Sequence, residues 1–103
     1  MTPFDRLTRI ADLLLQSRLA RLRESAAARD RSRMALTALD VPRREGDPVA
    51  EAQIALRYQS WADARRAEIN LTLARQTADW LRAQEEARIA FGKVQVLRQM
   101  RKK

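Results

Sequence analysis

The densest chemistry in this chain is a run of cations. Ala87 to Lys103 carries Arg88, Lys93, Arg98, Arg101, Lys102 and Lys103 and no acid. Guanidinium and ammonium groups at this density bind anions: a phosphate backbone, anionic lipid or an acidic protein surface. Cations in a last helical turn also complement the helix dipole. That accounts for Arg98 to Lys103, but Arg88 and Lys93 lie farther back than the dipole reaches. Interleaved with them are Phe91, Val94 and Leu97, an apolar stripe at i, i+3 and i+6. Charge speeds encounter and apolar side chains hold a complex, so the segment reads as a docking surface. The partner-binding candidates are Arg88, Phe91, Lys93, Val94, Leu97, Arg98 and Arg101. Arg6 and Arg9 join them from the start of the chain, and Tyr58 is the candidate exposed aromatic anchor.

Other reactive groups are few. There is no cysteine, hence no disulfide, zinc finger or thiol chemistry. There is no histidine, which removes the commonest general base. Gly92-Lys93 looks like the end of a phosphate loop, yet no G-x-x-x-x-G-K-[ST] surrounds it and it falls mid-helix. Glu85 and Glu86 are adjacent and point different ways on a helix. Asp12, Glu24, Asp30, Asp63 and Asp79 are scattered, without His or Cys companions for a metal. The expectation is a non-enzymatic protein with no catalytic residues, no cofactor and no metal.

Composition narrows the scaffold. A chain of 103 residues is one domain at most. Only 2 glycines and 3 prolines among many Ala, Leu, Arg, Glu and Gln mark long helices. The charge is 21 basic against 13 acidic, net +8, with pI near 11.3. The best apolar stretch near the start, Ile10 to Leu15, is broken by Asp12 and flanked by Arg6, Arg9 and Arg18. That is neither a signal peptide nor a membrane span, and the expected location is the cytoplasm.

Two elements must position the cations. Thr2-Pro3 is a helix start, a hydroxyl N-cap before proline at the first helical position. Asp5 adds first-turn negative charge. Leu15, Leu19, Leu22 and Ala26 then step by 4, 3 and 4, which is coiled-coil spacing, and the stripe fades from Ala27 to Arg33. Asp40 to Pro48, D-V-P-R-R-E-G-D-P, is the breaker cluster, and Asp47-Pro48 starts a second helix. Its seam reads Ile54, Tyr58, Trp61, Ala67, Leu71, Ala74, Ala78 and Leu81. Gly92 is a weak point where the helix could bend. The expected fold is all-α: an antiparallel two-helix coiled-coil hairpin with a longer second helix. Residues 1–103 form the single unit, with helices over 4–40 and 49–101 and a loop over 41–48.

Folding tightly at the loop pairs residues whose numbers sum to roughly 89, given equal rise on both helices. Leu22 then faces Ala67, Leu15 faces Ala74 and Leu7 lies near Leu81. Trp61 fills the thin region at Ala27-Ala28, and Tyr58 stays exposed beside Arg31. The second helix overhangs beyond Phe4, leaving Phe91, Val94 and Leu97 without a partner helix. Removing Gly92 to Lys103 should then leave the hairpin folded. The uncovered stripe also allows self-association as a weak homodimer.

The opening F-D-R-L-T-R-I-A-D-L-L-L, Phe4 to Leu15, resembles the start of FliJ-type proteins of the bacterial flagellar export apparatus. Leu73 to Lys103, with A-x-x-x-x-A-x-x-x-G-K-x-x-x-L, is similar to the closing helix of that group and of its virulence type III secretion relatives. The resemblance implies an antiparallel coiled-coil stalk, like a rotary shaft. Its terminal end would insert into a hexameric export ATPase and promote assembly or activity. The implied partners are that ATPase, the membrane export gate and export chaperones, with the membrane met only indirectly. Two other readings compete: a small coiled-coil adaptor or chaperone, and a basic hairpin that binds nucleic acid. Against the last, Asp63, Glu68, Asp79, Glu85 and Glu86 interrupt the second helix and no reading module is present, so no specific nucleic acid is expected.

Overall fold

The computed structural model describes residues 1–40 and 46–102. Two helices account for most of them, α1 over Pro3–Ala38 and α2 over Pro48–Lys102. Most of the expected loop is residues 41–45, outside the described residues. The helices pack antiparallel into a rod of 78 × 21 × 18 Å, and α2, 55 residues against 36, is the longer. Gly92 lies within the unbroken span of α2.

Both ends of α1 are satisfied locally. Thr2 Oγ1 accepts from the Asp5 N–H at 3.1 Å and the Asp5 carboxylate accepts from the Thr2 N–H at 3.1 Å, a reciprocal capping box. At the other end the helix tightens. Leu39 N–H donates to the Leu36 carbonyl and Asp40 N–H to that of Thr37. The Leu39 carbonyl, one of the orphans of a helix end, accepts from the Tyr58 hydroxyl at 2.7 Å. On α2, Asp47 caps through its carboxylate to the Val49 N–H and its carbonyl to the Glu51 N–H.

The interhelical register differs from the tight fold-back. Asp5 meets Arg101, Arg21 meets Glu86, Arg29 meets Thr77, Ser32 meets Gln76 and Asp40 meets Arg66. These numbers sum to between 106 and 108, where the tight turn gave roughly 89. The seam on α1 is Phe4, Thr8, Ala11, Leu15, Arg18, Leu22, Ser25, Arg29, Ser32, Leu36 and Leu39, every one buried or half-buried. The seam on α2 is Ala62, Arg66, Ile69, Leu73, Gln76, Trp80, Ala83, Ala87, Ala90, Val94 and Leu97, likewise covered. Both step by alternating 4 and 3, so they stay in contact along the rod. Leu22 lies level with Ala83, Leu15 with Ala90, and Ala11 with Val94. Large residues do meet small ones, on a different face of α2 from the one expected.

Three consequences correct the sequence reading. The expected seam of α2 is largely exposed: Ile54, Trp61, Leu71 and Leu81 are 54–63% accessible, and Ala67, Ala74 and Ala78 are open. Periodicity could not decide between two apolar faces of one helix. Second, the overhang lies at the loop end. The first turns of α2, from Pro48 to about Trp61, project beyond the end of α1 (Asp40 lies beside Arg66). Third, Trp61 does not fill the thin region of α1. Trp80 lies there, with the Arg29 guanidinium 4.8 Å from its ring centre. A polar layer of Arg29–Thr77 at 3.2 Å and Ser32–Gln76 at 2.5 Å replaces apolar packing where the α1 stripe fades.

Candidate docking end

The basic segment is packed against α1. Ala83, Ala87, Ala90 and Val94 are 2–5% exposed, and Val94 is the largest fully buried side chain. Three alanines in successive layers let the backbones approach closely, and Leu15 and Leu22 of α1 occupy the opposite positions. The expectation of an uncovered Phe91–Val94–Leu97 stripe is therefore corrected. Val94 is core, Leu97 is half-buried, and Phe91 is 52% exposed on a flank. Tyr58 is corrected too. It is half-buried, bonded to Leu39, with its ring 5.7 Å from that of Trp61.

Asp5 ties the two helices at this end. One carboxylate oxygen accepts in the capping box and the other accepts from Arg101 at 3.1 Å. The hydrogen bonds from Thr2 hold the Asp5 carboxyl below its ordinary pKa, with a smaller contribution from Arg101. Sequence alone marked Asp5 as a dipole residue only. The T-x-x-D spacing was the available signal for the box; the pairing with Arg101 required the register.

The remaining cations stand on the surface. Arg88 is held by Glu85 through two bonds, 3.0 and 2.6 Å, which lower the Glu85 pKa and raise that of Arg88. Among the described residues Arg6, Arg9, Lys93, Arg98 and Lys102 form no ion pair, and all are exposed. The structure thus brings Arg6, Arg9, Arg98 and Arg101 to one end, with Lys93 and Arg88 further along and Tyr58 at the other. An open groove of about 430 Å³ runs between Met1, Asp5, Thr8, Arg9, Asp12 and Arg101. Charges of both signs, Asp5 and Asp12 against Arg9 and Arg101, border it. Among the described residues no cluster of His, Cys, Asp or Glu could hold a metal. Among the described residues no helix is long and apolar enough to cross a membrane. Compared with protein-family models, with curated proteins and with solved structures, the chain matches none.

Proposed function

We propose that this chain is a non-enzymatic coiled-coil stalk of a bacterial flagellar or type III protein export apparatus. Its terminal end would enter the hexameric export ATPase ring and promote assembly or activity. One observation carries the reading: a slender two-helix end, well packed to its last turns, that presents unpaired cations around its rim. A rod 21 × 18 Å in section and 78 Å long has the proportions of an axial shaft. The cations would meet acidic side chains lining the ring and steer entry. Arg6, Arg9 and Arg98 have the leading role because no internal acid occupies them.

The test is hydrolysis by the cognate export ATPase titrated with this chain. The intact protein should raise the rate or the hexamer fraction. R6E/R9E/R98E should lose most of that effect, while R57E/R65E, at the loop end, should keep it. Equal responses of the two variants, or no response to the intact chain, would overturn the proposal. The adaptor reading draws on a separate observation, the open apolar face of α2, and predicts capture through that face with the basic end dispensable.

A further inference from the structure

The face of α2 turned away from α1 carries a second seam. Ala67, Leu71, Ala74, Ala78 and Leu81 step by 4, 3, 4 and 3; after a break at Glu85 the same face continues through Ile89, Gly92, Val96 and Met100, and Leu56 lies on it further back, all of them exposed. Leu56, Leu71, Leu81, Ile89, Val96 and Met100 are 47–69% accessible. Among the described residues nothing covers them. Gly92 belongs to this stripe. A helical glycine costs about 1 kcal/mol against alanine, and a Cβ there would meet nothing within 4 Å. The fold itself gives Gly92 no reason to lack a side chain; a closely approaching second backbone would.

We infer that this face binds a second copy of the same chain, antiparallel, to form a four-helix rod. Three features select that occupant. The first is charge. Along the stripe, Asp63 and Glu68 lie toward Pro48 together with Arg57 and Arg65, Arg82 and Arg88 lie toward the other end with Glu85 between them, and Arg75 stands at the middle. A parallel pair would place like charges together. An antiparallel pair centred near residue 75 sets Asp63 beside Arg88, Glu68 beside Arg82 and Arg65 beside Glu85 of the second copy, each twice over, which outnumbers the like-charge approaches of Arg75 to its own copy and of Arg57 to Lys93. These groups now hold only exposed i,i+3 partners, Arg66, Arg65, Asp79 and Glu85, which such pairs release at little cost.

The second feature is register. Residue 75 is the midpoint of Pro48–Lys102, so this centre overlaps α2 along its whole length. The single-helix overhang of each copy then lies against the basic end of the other. Leu56 comes level with Gly92 and Val96 of the second copy, and Leu71 with Ala78 and Leu81. The third is size. The stripe from Leu56 to Val96 is roughly 60 Å long at 1.5 Å per residue. With a helix about 10–12 Å across, two such strips bury about 1,200 Å², the lower bound of a specific interface. The inference stands independently of the proposed export role, since it needs no other protein.

The chain has no cysteine, so engineered ones report cleanly. Sedimentation of the intact protein should show a concentration-dependent dimer. L71E/L81E should stay monomeric with unchanged helicity by circular dichroism, because both sites are outside the hairpin core. Under mild oxidation A74C should cross-link to itself. L56C should not, but should cross-link when mixed with V96C. R82E/R88E should raise the dimer dissociation constant at least tenfold at low salt, and D63R/E68R/R82E/R88E should restore it. A monomer at every soluble concentration would overturn the inference. So would a dimer indifferent to L71E/L81E, or ready self-cross-linking of L56C, the mark of a parallel pair.

Discussion

The two ends of this rod are built on opposite plans. At the terminal end, α1 and α2 are paired layer by layer, with Ala83, Ala87, Ala90 and Val94 sealed and cations on the rim. At the loop end α2 goes on alone, with Val49, Ile54, Leu56 and Trp61 all at least 55% exposed. Small residues make the difference. Alanine in successive layers leaves room for the leucines of α1. The overhang offers no comparable α1 face, because α1 ends at Ala38. A packed basic end and an open apolar one suit different contacts, the first electrostatic and the second hydrophobic.

The comparison breaks hardest on truncation. Removing Gly92 to Lys103 takes away Val94 and Leu97 and strips the cover from Phe4, Thr8 and Ala11. Full burial of an aliphatic side chain stabilises by about 1.5–3 kcal/mol, which applies to Val94, and half-buried Leu97 adds a smaller share. A hairpin this small has little more to lose. The truncated chain should lose most of its cooperative thermal transition by circular dichroism. A chain shortened at the other end, lacking residues 48–55, should keep its transition if those residues are replaced by a flexible linker. Similar melting of the two would show that the ends are not different.

A single charge on each face of α2 sharpens the same contrast. Val94→Asp places an unpaired carboxylate in the core and should cost roughly 3–5 kcal/mol. Leu71→Asp places it on the open face and should cost the monomer only about 0.5 kcal/mol, the propensity difference. Urea titration at a concentration where the chain is monomeric measures both. Equal costs would mean that the outer stripe is part of the folded core.

These faces explain what could be read in advance. The helix starts and the greater length of α2 rest on local chemistry, Thr2-Pro3 and Asp47-Pro48, and sequence displays local chemistry. The seam does not reduce to it. On α1 the contact positions include Thr8, Arg18, Ser25, Arg29 and Ser32, so the buried face is no more apolar than its neighbour. Arg18 serves there because its stem packs while its head reaches Glu86 at 3.8 Å. On α2 two apolar faces carry the same 4–3 spacing, and the choice between them fixes the register. The basic cluster was legible as composition. That its apolar companion Val94 is core was not, since that depends on which face α1 takes.

Hydrogen exchange should resolve the two ends residue by residue. Amides from Ala83 to Val94 should be protected to near the global stability, because opening them exposes the seam. Amides from Val49 to about Arg57 should exchange orders of magnitude faster, as a helix without tertiary cover frays locally. If the chain dimerises as inferred, protection of the overhang should rise with concentration. Protection of Ala83 to Val94 should change little.

Salt offers a milder test of the basic end. Phosphate binding by many cations loses orders of magnitude in affinity between low and moderate salt. Duplex DNA should therefore bind this chain weakly and only at low ionic strength. Tight binding that persists near physiological salt would move the basic end from protein docking to nucleic acid.

The smallest expected effect is at Asp5. Its folded pKa is lowered, chiefly by the Thr2 hydrogen bonds and less by Arg101. A lowered folded pKa means that the ionised form favours the folded end. This stabilisation is complete above the ordinary aspartate pKa and is lost as pH falls through the depressed value. The first turn of α1 should fray over that acid window, visible as amide shifts from Thr2 to Leu7 moving toward coil values while those near Leu22 hold. Asp5→Asn should remove the pH dependence and weaken the tie to Arg101 at neutral pH. Amides in the first turn of α2, at the opposite end of the rod, should not move on Asp5→Asn. A first turn that frays equally in both proteins at neutral and acid pH would show that Asp5 does not join the two helices.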